Sequence, residues 1–191
     1  MRYAVKVVAL VFALAFDLVG KDAPMLLGGP ASRSVVVATT DGHGTGVIVS
    51  KGFVISNFHI LKAGSGVRVD GRDAVVVKVD PLHDLVLLAV ETIDLPTLIL
   101  TNEISQDDEI VVIGNPLGHK RMISRGRIID ITNGKIYIDA HIFLGSSGSG
   151  VYNSKGALIG IVEAIEGGDG DGFPFGVVIS AGDVARFLMA K

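Results

Sequence analysis

Short apolar runs of three to ten residues follow one another from Ser34 to Ile179, at intervals of about ten residues and with Gly, Asp and Asn between them. One set reads Ser34–Thr40, Gly46–Ser50, Phe53–Ser56, Val67–Val69, Ala74–Val79 and Leu85–Val90. A second reads Thr97–Leu100, Glu109–Ile113, Met122–Ile131, Lys135–Asp139, Gly150–Asn153, Ala157–Ile165 and Phe175–Ile179. The apolar residues are also skewed toward β-branching, with 26 Val and 19 Ile against 17 Leu. Such side chains suit a pleated surface better than a helix. The pattern therefore predicts an all-β chain of antiparallel sheets closed into sandwiches or barrels, and it lacks the long helical segments of a parallel α/β fold. One helix is expected at the end, over Ala181–Ala190, with Ser180 or Asp183 near its start and Val184, Phe187 and Leu188 on one face.

Length and charge narrow the field further. The chain has 191 residues, enough for one ordinary domain or two small lobes around one site. A net charge of −3 argues against nucleic-acid binding through a broad basic face. The absence of Cys removes disulfides, zinc ribbons and thiol nucleophiles. Five scattered His without an HExxH spacing make a poor metal site, and no cofactor is expected. Residues 1–20 differ from the rest. Arg2 and Lys6 precede an unbroken apolar run from Val7 to Phe16, and Ala13-Leu14-Ala15 offers a small-x-small cleavage site. That is the pattern of an export signal, with an uncleaved anchor or a buried first helix as alternatives. Residues 21–33, with two prolines and Gly28-Gly29, read as a linker.

Three features then stand in order. His59 follows an apolar strand, Asp84 opens another, and Ser147 lies in Gly145-Ser146-Ser147-Gly148-Ser149-Gly150. A serine hydroxyl becomes a nucleophile when a neutral imidazole takes its proton, and the imidazole needs a carboxylate to fix its tautomer. Flanking glycines allow a sharp turn that leaves backbone N–H groups free to meet a developing oxyanion. Each piece alone is common; the ordered set is not. Ser146 and Ser149 are rival nucleophiles, but only Ser147 has Gly two residues before it and Gly directly after.

Longer blocks carry a family resemblance. Gly44-Thr45-Gly46 through His59, Asp84-Leu85-Val86-Leu87-Leu88, Gly114-Asn115-Pro116-Leu117-Gly118, and Asp139-Ala140 with Gly145-x-Ser147-Gly148 and Gly156–Ile161 together resemble trypsin-like serine proteases. They are most similar to the bacterial HtrA/Deg branch, without its usual PDZ domain. The resemblance implies two six-stranded antiparallel β-barrels and a C-terminal helix. The first barrel would occupy about 34–95 and the second about 105–180, within a protease domain spanning 34–191. It implies peptide-bond hydrolysis with His59 as general base and acid, Asp84 as its orienter and Ser147 as nucleophile. The N–H groups of Gly145 and Ser147 would form the oxyanion hole.

Other implications concern specificity and setting. The primary pocket would be walled by His141, Ile142 and Leu144 on one side and by Glu163 and Ile165 on the other. His141 is either a pocket-floor residue reading Glu or Gln, or an ordinary half-buried strand histidine. Glu163 replaces a Ser or Thr of relatives near the aspartate, where a carboxylate is costly unless it faces solvent. Ser146 replaces an Asp or Asn, so activation through a salt bridge to a cut N-terminus is not expected. The partners would be polypeptide substrates, with no nucleic acid. The expected location is exported, periplasmic or secreted, with membrane contact only through an uncleaved leader. Trimers are frequent in this branch, which makes a homotrimer one assembly it allows. A catalytically weak peptide-binding or chaperone module on the same fold is the alternative reading.

Overall fold

A computed structural model describes residues 29–61, 66–91, 95, 97–167 and 174–190. The expected leader and most of the expected linker lie outside these residues. A helical turn α1 (Pro30–Arg33) leads into six strands: β1 (Ser34–Thr39), β2 (Gly42–Ser50), β3 (Phe53–Asn57), β4 (Val67–Val69), β5 (Arg72–Asp80) and β6 (Leu85–Ala89). Six more follow: β7 (Glu109–Gly114), β8 (Met122–Thr132), β9 (Lys135–Ile138), β10 (Gly150–Asn153), β11 (Leu158–Glu166) and β12 (Phe175–Ser180), before helix α2 (Ala181–Met189). Each set closes into an antiparallel barrel, in the orders β1-β2-β3-β6-β5-β4 and β10-β11-β12-β9-β8-β7. The expected all-β architecture of two six-stranded barrels and a C-terminal helix is the one observed.

The continuous apolar runs follow from burial on both strand faces. Successive side chains on a strand point to opposite faces. In β6, Val86 and Leu88 fill the first barrel while Leu85 and Leu87 face the second. In β11, Ile159 and Val162 fill the second barrel while Leu158 and Ile161 face back. Val47 and Val49 of β2, Ile55 of β3, Ile113 of β7 and Ile179 of β12 complete an apolar seam between the barrels. Three cores thus share the same strands, and truncating one seam side chain to Ala would cost about 2–5 kcal/mol.

Two expectations are corrected. Thr97–Leu100 is not a strand: it contributes one isolated bridge, Leu100 to Leu158. Its backbone bonds alternate between barrels, Leu98 N–H to Val49 O and Leu158 N–H to Ile99 O, as suits a connection laid along the seam. The end of the linker at 21–33 is also ordered. Arg33 is buried in α1 and donates from Nη1 to Ile48 O at 3.2 Å. Desolvation pulls its pKa down from the usual value.

Helix α2 starts where Ser180 Oγ accepts the Asp183 N–H, an N-cap that satisfies one otherwise unpaired donor. Val184, Phe187 and Leu188 enter the seam core. The other end is held from the first barrel. A bulge in β5 between Val76 and Lys78 lets Lys78 donate from Nζ to Phe187 O and, at 2.7 Å, to Ala190 O. The ammonium also lies 4.9 Å from the centre of the Phe187 ring. A cation there meets the negative end of the helix and its unpaired carbonyls. Lys78→Met should therefore destabilise the fold by about 1–2 kcal/mol, read as a lower urea midpoint with unchanged slope.

Candidate active site

The β3–β6 ladder brings a histidine and an aspartate together by register. Asn57, the last residue of β3, pairs with Leu85, the first of β6. The residues just beyond that end are therefore neighbours: His59 in the 3₁₀ turn Phe58–Ile60, and Asp84. Backbone contacts continue past the ladder, with Phe58 N–H donating to Asp84 O at 3.1 Å and Asn57 Nδ2 to the same oxygen at 3.2 Å. Asp84 does not open the strand, as its sequence position had indicated. It occupies a turn with φ of 53°, which aims its carboxylate across the ladder end. One oxygen accepts the His59 N–H at 2.8 Å, and the other lies 2.6 Å from His59 Nδ1. The carboxylate thus fixes both backbone and ring.

This contact sets the chemistry of the imidazole. An ionised carboxylate only accepts, so Nδ1 carries hydrogen and Nε2 keeps a lone pair. The hydrogen bond to Asp84 holds the His59 pKa above its ordinary value of 6.5. Partial burial opposes this, while the charges of Asp84 and, more weakly, Glu163 support it.

The serine loop is built by glycines and pinned carbonyls. Gly145 and Gly148 have φ of 89° and 83°, conformations that side chains rarely adopt. A Cβ on Gly148 would lie 1.8 Å from Thr45 O, so the loop packs directly on β2. Gly148 N–H donates to Val162 O, Ser149 N–H to Ser146 O, Ser146 N–H to Phe143 O and Leu117 N–H to Leu144 O. Among the described residues, the N–H groups of Gly145 and Ser147 have no such acceptor. Ser146 is buried, its Oγ accepting the Phe143 N–H at 3.2 Å, and buried Ser149 Oγ has no partner. Ser147 is half-buried, with Oγ 3.5 Å from Glu163 O rather than hydrogen-bonded to His59. The histidine and serine ends of the site meet over Gly44, where a Cβ would touch both Ile60 and Ser147 O.

The remaining candidates are dispersed. Glu163 is the bulge residue between Val162 and Ala164, and its carboxylate pairs with Lys135 of β9. Ile142 packs onto the second-barrel core, against Gly176. Leu144 is 80% and Ile165 40% exposed. His141 lines a small cavity behind the serine loop with Gly114, Phe143, Ser146 and Ser149. His83 sits in the turn before β6, with Nδ1 2.7 Å from Asp80 Oδ2. Two groups at the site, Thr45 and Asn57, lie within the Gly44–His59 block, but the sequence offers no role for either, because their partners are distant along the chain.

Paired six-stranded barrels joined at a seam that carries this histidine, carboxylate and glycine-bounded serine define a trypsin-like protein. The chain belongs to the trypsin-like peptidase domain family, which its residues 44–161 match. It is 34% identical over 155 residues to the periplasmic serine endoprotease DegP of Salmonella typhimurium, covering 71% of this chain and 33% of DegP. It is 31% identical over 171 residues to the magnetosome formation protease MamE of Magnetospirillum gryphiswaldense, covering 78% of this chain and 21% of MamE. The chain thus spans a third or less of these relatives. Among solved structures, the inactive form of the Rv3671c protease, from Mycobacterium tuberculosis H37Rv, superposes with a TM-score of 0.70 at 27% identity. That match covers 90% of this chain and 97% of the other.

The dominant cause of the raised His59 pKa gives a direct test. Asp84→Asn removes the hydrogen-bonding charge, so the His59 ring should titrate at lower pH than in the wild type when followed by NMR. An unchanged or higher midpoint would contradict this account of the pair.

Proposed function

We propose that this chain is a serine endopeptidase that cleaves polypeptides through an acyl-enzyme, with Ser147 as nucleophile, His59 as general base and acid, and Asp84 as orienter. One observation carries the reading: His59 Nδ1 is committed to Asp84 at 2.6 Å, leaving Nε2 as the basic nitrogen, and the serine loop that packs on the same barrel has two N–H groups without an acceptor among the described residues. Ser147 Oγ is held by a long contact with Glu163 O, so rotation about the side-chain bond can re-aim it, a motion on the picosecond-to-nanosecond scale.

The steps balance without a metal or cofactor. Oγ attacks the scissile carbonyl carbon as its proton passes to Nε2, and the carbonyl oxygen becomes an oxyanion facing the Gly145 and Ser147 N–H groups. Asp84 stabilises the imidazolium. Collapse breaks the C–N bond, and Nε2–H protonates the leaving amine. Water then repeats the sequence on the ester, returning Ser147 and releasing the acid. Preorganised donors at the oxyanion supply the largest share, on the order of 10²–10³ in kcat for one donor.

Glu163 fits this scheme because its charge is balanced by Lys135, which removes the conflict with Asp84 raised by the sequence. The buried positions of Ser146 and Ser149 favour Ser147 among the three serines. The DegP relative is named periplasmic, and with the basic–apolar pattern of residues 1–20 this supports action outside the cytoplasm. Among the described residues no helix is long and apolar enough to cross a membrane.

Ser147→Ala should lower hydrolysis of fluorescein-labelled casein by about 10⁴-fold or more. In the wild type, activity should rise with pH as His59 loses its proton, and its raised pKa puts that midpoint above 6.5. A midpoint at or below 6.5, or turnover retained in Ser147→Ala, would count against the assignment.

A further inference from the structure

Thr45 belongs to the first barrel, yet three of its four hydrogen bonds reach the second. Its side chain is fully buried in β2, between two glycines. Its N–H donates to Ser147 O at 2.7 Å. Its hydroxyl donates to Gly145 O at 3.0 Å and accepts the Asn115 N–H at 2.8 Å. Only its carbonyl stays within the first barrel, accepting from Ser56 Oγ at 2.6 Å.

Two of these bonds fall on the peptides that directly follow those carrying the unpaired Gly145 and Ser147 N–H groups. In a trans peptide the C=O and the following N–H point in opposite directions. Leu117 N–H holds Leu144 O at 3.0 Å, which turns the Gly145 N–H the other way. Ser149 N–H holds Ser146 O at 2.9 Å, which does the same for the Ser147 N–H. The peptide between those two units is held at both ends: its N–H, of Ser146, donates to Phe143 O at 2.9 Å, and its carbonyl, Gly145 O, accepts from the Thr45 hydroxyl across the seam. Gly145, with φ of 89° and no side chain, adds little resistance of its own to rotation of that peptide. The same hydroxyl anchors Asn115, at the head of the turn that delivers Leu117. Asn115 is fixed in addition by Nδ2 on Ser34 Oγ and by Oδ1 on the Arg121 N–H, each at 3.0 Å.

We infer that Thr45 is a positioning residue for catalysis: its hydroxyl relays the Asn115–Leu117 turn to Gly145 O and thereby sets the angle between the two oxyanion donors. The inference rests on the proposed role of the Gly145 and Ser147 N–H groups. Thr45 touches neither substrate nor reacting atoms. Because it sits on the first barrel, it makes the donor geometry of the second barrel depend on the seam.

The test compares Thr45→Val, Thr45→Ser and Ser147→Ala on fluorescein-labelled casein. Valine keeps the shape and removes both hydroxyl bonds. It should lower kcat by about 10- to 100-fold, short of or near the loss of a whole donor. KM and the midpoint of the acid limb should stay put, since the His59–Asp84 pair is untouched. Serine retains both bonds and should recover most of the loss. Wild-type kcat in Thr45→Val, a defect confined to KM, or a serine variant as impaired as valine would overturn the proposal. If Ser147→Ala is inactive while Thr45→Val is normal, only the role of Thr45 fails; if Ser147→Ala keeps turning over, the serine mechanism itself fails. Should Thr45→Val not fold, a crystal structure of the wild type with a peptide boronate on Ser147 decides. Thr45 Oγ1 bonded to Gly145 O in that adduct supports the relay, and a Gly145 carbonyl turned away from it overturns it.

Discussion

The apolar seam between the barrels is the constraint on which the rest of the molecule depends. Seven strands bury both faces, one in their own barrel and one against the other. Neither barrel can shed the other without exposing Val47, Ile55, Leu87, Ile113, Leu158 and Ile161 to water. At about 25 cal/mol per Å² of apolar surface, that is a strong barrier to separation. The C-terminal helix adds Phe187 and Leu188 to the same core, and Lys78 ties its far end to the first barrel. A site whose histidine and aspartate come from one barrel and whose serine comes from the other thereby gains fixed geometry without a disulfide.

Local electrostatics then complete what packing begins. The Asp84 carboxylate is doubly engaged by His59, through the backbone N–H and the ring, so its charge is satisfied where it is needed. The one other carboxylate that acts on the imidazole, Glu163, is balanced by Lys135. On the serine side the backbone does the work. Carbonyls along 144–147 are turned onto named donors, and the N–H groups of Gly145 and Ser147 are left without an acceptor among the described residues. The glycines at 145 and 148 are required for that turn, the second because Thr45 O occupies the space of any side chain.

Much of this was legible in the sequence. Runs such as Leu85–Leu88 announce strands buried on two faces, and the ordered His, Asp and glycine-bounded Ser point to the chemistry proposed for the site. What escaped depends on partners distant along the chain. Thr97–Leu100 has the composition of a strand, but its donors and acceptors are divided between the two barrels. Glu163 looked like a charge in conflict with Asp84 because neither the bulge at 162–164 nor the approach of Lys135 is encoded locally. Asp84 reads as the first residue of a strand, and only the ladder end shows it to be a left-handed turn. The four exposed valines of β5, Val75 among them at 66%, resemble core residues in sequence and lie outside the barrel. Thr45 lies in the Gly44–His59 block, but nothing local shows the bonds of its hydroxyl, which reach 70 and 100 residues away.

The central claim is that the seam makes one serine of three nucleophilic, through a neutral His59. Tandem mass spectrometry after reaction with a fluorophosphonate measures this directly. The account predicts a single adduct on Ser147, formed at alkaline pH and suppressed once His59 is protonated. An adduct on Ser146 or Ser149, or labelling of Ser147 that is indifferent to His59 protonation, would contradict it.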